Sequence, residues 1–284
     1  MSKPLVWITG AGGLIGSHLV RCAPQYAPGW QVSALTREKL DLADFNAVSN
    51  SFAALPPSLV IHCAALSRVG DCHDDPQLAE KLNVAVTRHL CELAGNIPLL
   101  FFSTDLVFDG LKGNYGESDL VHPLTIYADT KVRAEEAVLR NPRHSVVRVS
   151  LNAGVSPSGN RSFTEDMRRA WERGQTLNLF TDEFRNPIPA SVTARAIWEL
   201  VLLNRPGLYH LAGSERLSRW EIGQLLAKRW PQLPAKMHAS SLKDYQGPQR
   251  PPDTSLNCST LQALLSCQLP AFSDWLAQNP HEPV

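Results

Sequence analysis

Two residues four apart, Tyr127 and Lys131, have the spacing most suggestive of chemistry in this 284-residue sequence. On a helix, positions i and i+4 share a face, so the lysine ammonium can lie beside the phenol. A free tyrosine has a pKa of about 10, and a nearby cation favours the phenolate. Such a pair can give or take a proton near neutral pH. Taken alone, the pattern is better read as a tyrosine and a lysine on the wet face of an amphipathic helix. Phe101-Phe102-Ser103-Thr104-Asp105 adds a second group. It reads as the end of a buried strand, where parallel sheets present ligand-binding side chains. Thr104 there can hydrogen-bond a carbonyl or an alkoxide.

A third group lies near the N-terminus, in Thr9-Gly10-Ala11-Gly12-Gly13-Leu14-Ile15-Gly16. Gly10, Gly13 and Gly16 follow a G-x-x-G-x-x-G spacing between a predicted strand and a predicted helix. The glycines permit a tight turn, and the N–H groups at the helix start, at Leu14 and Ile15, can meet a pyrophosphate. Arg37 follows the second predicted strand, where an acid would read a ribose hydroxyl. An arginine there suits the 2′-phosphate of NADP, against the plain alternative of a solvated side chain. The expected cofactor is NADP(H) in preference to NAD(H).

Positioning these groups requires a sheet with helices on both faces. Short apolar runs predict strands at Leu5–Thr9, Gln31–Leu35, Leu59–Cys63, Leu99–Ser103 and Ser145–Val149. Helices are predicted between them, from Gly13 to Cys22, from the Asp44 N-cap through Ala54, over 76–94 and over 123–140. This alternation implies an α/β, doubly wound parallel sheet of the Rossmann type. The rhythm changes after residue 150. A Gly, Ser and Pro-rich loop at Asn152–Asn160 is followed by helices near Phe163–Arg173, Ser191–Leu203 and Arg219–Trp230, with strands at Leu177–Phe180 and Leu208–Leu211. We divide the chain into a nucleotide-binding domain, 1–150, and a smaller C-terminal substrate lobe, 151–284, whose strands can return to the main sheet.

Lys plus Arg and Asp plus Glu both number 27, which argues against a general nucleic-acid binder. The six cysteines form no Cys-x-x-Cys pair, and neither His62-Cys63 nor Cys72-His73 has zinc-site spacing, so reduced thiols and no metal are expected. The longest stretch free of Asp, Glu, Lys and Arg, Phe45–Ser67, holds two asparagines, two prolines and a histidine and is no membrane span. A cytoplasmic protein is expected, with a homo-oligomer left open.

The glycine turn, the strand-end Thr104 and Tyr127-x-x-x-Lys131 together resemble the extended short-chain dehydrogenase/reductase family over nearly the whole chain. Ser103-Thr104-Asp105-Leu106-Val107-Phe108-Asp109-Gly110, Gly159-Asn160-x-x-Phe163, Leu208-Tyr209-His210-Leu211-Ala212-Gly213 and Arg250-Pro251-Pro252-Asp253-x-x-Leu256 look like its dTDP-4-dehydrorhamnose reductase branch. The resemblance implies hydride transfer from a nicotinamide to a ketone carbon of a nucleotide-linked sugar or related carbonyl. Tyr127 would protonate the oxygen, Lys131 would lower the Tyr127 pKa and hold the ribose, and Thr104 would orient the carbonyl. It also implies Asp41 and Leu42 near the adenine, Ala65, Leu66 and Ser67 lining the cofactor, and Asp105, Asn160 and Arg250 toward the substrate, with Arg250 on its diphosphate; a solvated loop arginine is the plain alternative for Arg250. Asn83 occupies a helix position where the family has an asparagine; a surface amide is the plain alternative. Leu106 and Leu151 stand where the branch usually has Tyr and Trp. Two other functions share these motifs: a non-catalytic, NADP-binding regulatory subunit like that of methionine adenosyltransferase, and a nucleotide-sugar epimerase.

Overall fold

The computed structural model describes residues 3–284. Six strands form the main sheet: β1 (Leu5–Thr9), β2 (Gln31–Leu35), β3 (Leu59–His62), β4 (Leu99–Thr104), β5 (Ser145–Val149) and β6 (Leu208–Leu211). Their spatial order is β2-β1-β3-β4-β5-β6, and every pairing is parallel. The strands are near-continuous apolar runs because both faces of the sheet are covered. Alternate side chains divide between two cores. Val6, Ile8, Leu100 and Phe102 meet Leu19 of α1 (Leu14–Tyr26) together with Ile197 and Trp198 of the helix Ala190–Leu203. Leu5, Trp7, Leu99 and Phe101 meet Val48 and Phe52 of α2 (Phe45–Ala54), and residues of two further helices.

The sixth strand comes from the second half of the chain. β6 pairs with β5, and the Trp198 indole donates to Leu19 O at 3.0 Å, tying Ala190–Leu203 to α1. The smaller C-terminal region has its own core around Trp171, Trp230 and Phe272, beside a parallel pair of strands, Thr176–Phe180 and Lys236–Ser240. Among the described residues, no helix is long and apolar enough to cross a membrane.

The predicted helix over 76–94 is not uniform. Asp75 caps it by accepting from Leu78 N–H at 2.9 Å. It starts as α at Pro76–Ala79, widens to a π turn at Glu80–Ala85 and resumes as α at Val86–Ala94; the whole is α3 here. A π turn sets one extra residue into the helix, and such turns often sit at functional sites. Helix α4 runs from Ile126 to Leu139, starting three residues later than predicted, because Thr125 is its N-cap and accepts from Ala128 N–H at 3.2 Å. Helix α1 continues to Tyr26 beyond the predicted end at Cys22, with Pro24 inside it.

Candidate active site

The chain goes from β1 to β2 on one side and returns to β3 on the other, so the strand order reverses at β1/β3. Ligands of open α/β sheets bind in the crevice at such a point. Gly10 ends β1 there with φ +66°, and an added Cβ would lie 2.7 Å from Ala64 N. A Cβ on Gly16 would lie 2.3 Å from Gly10 O, so no side chain fits at either position. Gly13 is the N-cap of α1, its N–H bonds Gly10 O at 2.8 Å, and no side chain caps the helix. The N–H groups of the first turn, at Leu14 and Ile15, lack intrahelical acceptors and suit an anion. This bare-backbone cradle fits the pyrophosphate of a dinucleotide.

Arg37 lies just past β2, its side chain 83% exposed and 3.9 Å from Asp41. Asp41 is exposed and accepts from Ala43 N–H at 3.0 Å, while Leu42 packs into the core beside Leu35. Ala65 and Ser67 are exposed after β3, and Leu66 is partly buried. Beneath this loop, Thr9 Oγ1 pairs with His62 Nδ1 at 2.7 Å, and His62 Nε2 with Thr87 Oγ1 at 3.1 Å. Burial, and then Lys131, push the His62 pKa down to about 3, so the ring stays neutral.

Thr104, Tyr127 and Lys131 are all buried, at 6%, 9% and 3% exposure, where β4 ends and α4 begins. Tyr127 packs with Leu66, Cys72 and Leu106. Lys131 Nζ sits 3.9 Å from the centroid of the Phe101 ring. The phenol departs from expectation: burial, and then the Asp105 charge, raise the Tyr127 pKa above its ordinary value, against the nearby Thr104 hydroxyl, which lowers it. Lys131 carries the strain instead, its pKa pushed down to about 7 by burial. The i, i+4 spacing reports the shared face but not the desolvation, which outweighs it.

Asn83 is 1% exposed, so it is no surface amide. The π turn carries it, and its side chain accepts from Leu66 N–H at 2.8 Å and donates to Leu66 O at 3.1 Å and Thr130 Oγ1 at 3.0 Å. Asn160 lies across from the β3 loop, its carbonyl accepting from Arg68 Nη2 at 3.1 Å. Asp105 accepts from Thr104 Oγ1 at 3.1 Å, Ser150 Oγ at 2.7 Å and Thr254 Oγ1 at 3.0 Å. Arg250 donates twice to the buried Glu183, from Nε at 2.5 Å and Nη2 at 3.0 Å. Burial works against the Glu183 charge, but Arg250 and its neighbours hold the carboxyl below its ordinary value. Neither Glu183 nor its neighbour Arg185 stood out in the sequence, for they belong to no repeat or spacing pattern.

The RmlD substrate binding domain model matches residues 4–281. The chain belongs to this family. RmlD-like proteins are extended short-chain dehydrogenases/reductases, and the family uses a nicotinamide cofactor. Among curated relatives, the methionine adenosyltransferase 2 subunit beta of Bos taurus is 29% identical over 91% of this chain and 82% of its own. A dTDP-4-dehydrorhamnose reductase of Sinorhizobium fredii is 28% identical over 94% of this chain and 93% of its own. Among solved structures, the Bacillus anthracis dTDP-4-dehydrorhamnose reductase in complex with NADP superposes with a TM-score of 0.88 at 22% identity, covering 97% of this chain and 98% of that one. That likeness bears out the Rossmann-like sheet with its smaller C-terminal region.

Proposed function

We propose that this RmlD-like chain is an NADP(H)-preferring reductase acting on a keto group of a nucleotide-linked sugar or a related carbonyl. The observation that carries the reading is the burial of Thr104, Tyr127 and Lys131 together, in a chain whose first strand ends in a glycine turn too tight for a Cβ at Gly10 or Gly16. When bound, the nicotinamide supplies the hydride. Gly10, Gly13 and Gly16 let the backbone approach its pyrophosphate, with the Leu14 and Ile15 N–H groups as donors. Arg37 reads the 2′-phosphate, Asp41 and Leu42 flank the adenine, and Ala65, Leu66 and Ser67 line the path between. Thr104 holds the substrate carbonyl. Tyr127 keeps its proton at neutral pH and gives it to the oxygen as charge develops there, an interaction strongest in the transition state. Lys131 contributes a positive charge, present below about pH 7, that favours the phenolate left behind. Asp105 and Asn160 border the substrate.

Purified protein mixed with NADPH and a panel of nucleotide-linked keto sugars and simple ketones tests this by loss of absorbance at the reduced nicotinamide. Sustained oxidation supports the reductase. A second reading, a cofactor-binding regulatory subunit, is favoured by the similarity to the methionine adenosyltransferase beta subunit. NADPH binding without turnover of any carbonyl would select it.

A further inference from the structure

Five charged side chains meet where the end of β4 faces the smaller region. Glu183, 1% exposed, takes the two bonds from Arg250 and lies 3.3 Å from Arg185 Nη2. Arg185 is also buried, 3.5 Å from Asp105 Oδ2, and its Nη1 donates to Phe184 O at 2.9 Å and Pro251 O at 3.3 Å. Both carboxylates are therefore satisfied. The fifth group is Arg219, first residue of the helix Arg219–Arg229. Its backbone N–H bonds Glu183 O at 3.0 Å, but its side chain makes no hydrogen bond or ion pair among the described residues. The residue is partly buried, with the central carbon of its guanidinium 5.6 Å from the centroid of the Phe163 ring. Burial disfavours its charge, Glu183 and Asp105 favour it, and Arg250 and Arg185 oppose it.

Three cations thus face two anions, and the surplus is the cation without a partner. An arginine cannot discharge, and its five donors remain to be used. The Phe163 face compensates only in part. Arg250, the arginine that the sequence pointed to for a substrate phosphate, already spends Nε and one Nη on Glu183. We propose that Arg219 is the seat of an anionic group of the substrate. The proposal rests on the reductase reading only in taking the Thr104 end of the sheet as the substrate's entrance: Arg219 N–H bonds Glu183 O, Glu183 meets Arg185, and Arg185 meets Asp105, which follows Thr104 directly. A planar guanidinium suits two parallel bonds to a phosphate or a carboxylate. Two sources supply that chemistry: the diphosphate of a nucleotide-linked sugar, and an acid group on the sugar itself.

Calorimetric titration of the full chain, saturated with NADPH, separates these sources without using turnover. The probes are thymidine diphosphate, thymidine and D-glucuronate, and the proteins are wild type, Arg219→Gln and Arg219→Lys. Arg219→Gln should weaken one anionic probe by about 10- to 100-fold, the range for one charged hydrogen-bonded contact. Arg219→Lys should restore part of the loss, and the NADPH affinity should not move. A loss confined to thymidine diphosphate, with thymidine unaffected, assigns the diphosphate; a loss confined to D-glucuronate assigns the sugar acid. Unchanged binding of both anions in Arg219→Gln, or no binding of either by wild type, overturns the proposal. A chain that binds an anion through Arg219 yet oxidises no NADPH keeps the proposal and defeats the reductase reading.

Discussion

Asn83 grips both backbone groups of Leu66, accepting from its N–H at 2.8 Å and donating to its carbonyl at 3.1 Å. One side chain thereby fixes the loop that leaves β3, and its third bond, to Thr130, fixes the same point to α4 between Tyr127 and Lys131. The π turn is what brings it there.

Asn83→Ala should therefore lower stability and loosen the cofactor crevice together. It strands the N–H of Leu66 in a partly buried place, and an unsatisfied buried group costs about 1–3 kcal/mol. Chemical denaturation should show a loss of roughly 2 kcal/mol or more, and NADPH titration a weaker affinity. A variant as stable as wild type would reduce the clamp to an incidental contact.

Tyr127→Phe should abolish turnover while NADPH binding persists. The phenol is buried and retains its proton, and on the proposed mechanism its hydroxyl acts in the transition state. Loss of the proton donor should cost about 100-fold or more in kcat. Near-normal kcat in the variant would remove Tyr127 from the mechanism.

Lys131→Met should stabilise the fold at neutral pH while it impairs catalysis. The unfolded lysine titrates near 10.5 and the folded one near 7. Well below pH 7 both states hold the proton, and the folded state bears the whole cost of burying it, on the order of a few kcal/mol. Between about pH 7 and 10.5 the unfolded state binds more protons, so wild-type stability rises with pH. The Tm advantage of Lys131→Met should be largest below about pH 6 and shrink towards pH 10. An advantage that does not vary with pH would mean Lys131 is not titrating as described.

Arg37→Ala should weaken NADPH binding by roughly 10-fold or more, as expected for a charge-assisted contact, and leave NADH binding nearly unchanged. The side chain is 83% exposed and, among the described residues, its ion pair is with Asp41 at 3.9 Å, so its removal should not disturb the fold. Equal losses for both cofactors would show that Arg37 does not read the 2′-phosphate.

The sequence by itself determined the parts whose signal is local. Short, largely apolar runs marked β1 to β6, since strands covered on both faces are mostly apolar. The glycine spacing marked a turn that admits no Cβ, and the four-residue interval put Tyr127 and Lys131 on one helix face. Tertiary structure decided the rest. Asn83 and Leu66 are 17 residues apart, and Glu183 and Arg250 are 67 apart, so no periodicity announces either pairing. The return of β6 to the main sheet depends on a long-range pairing with β5 that the sequence left open. The protonation of the site was decided by burial. A lysine four residues from a tyrosine reads as a way to lower the phenol pKa, but desolvation acts on both groups. It raises the tyrosine and lowers the lysine, because a folded interior disfavours whichever form is charged.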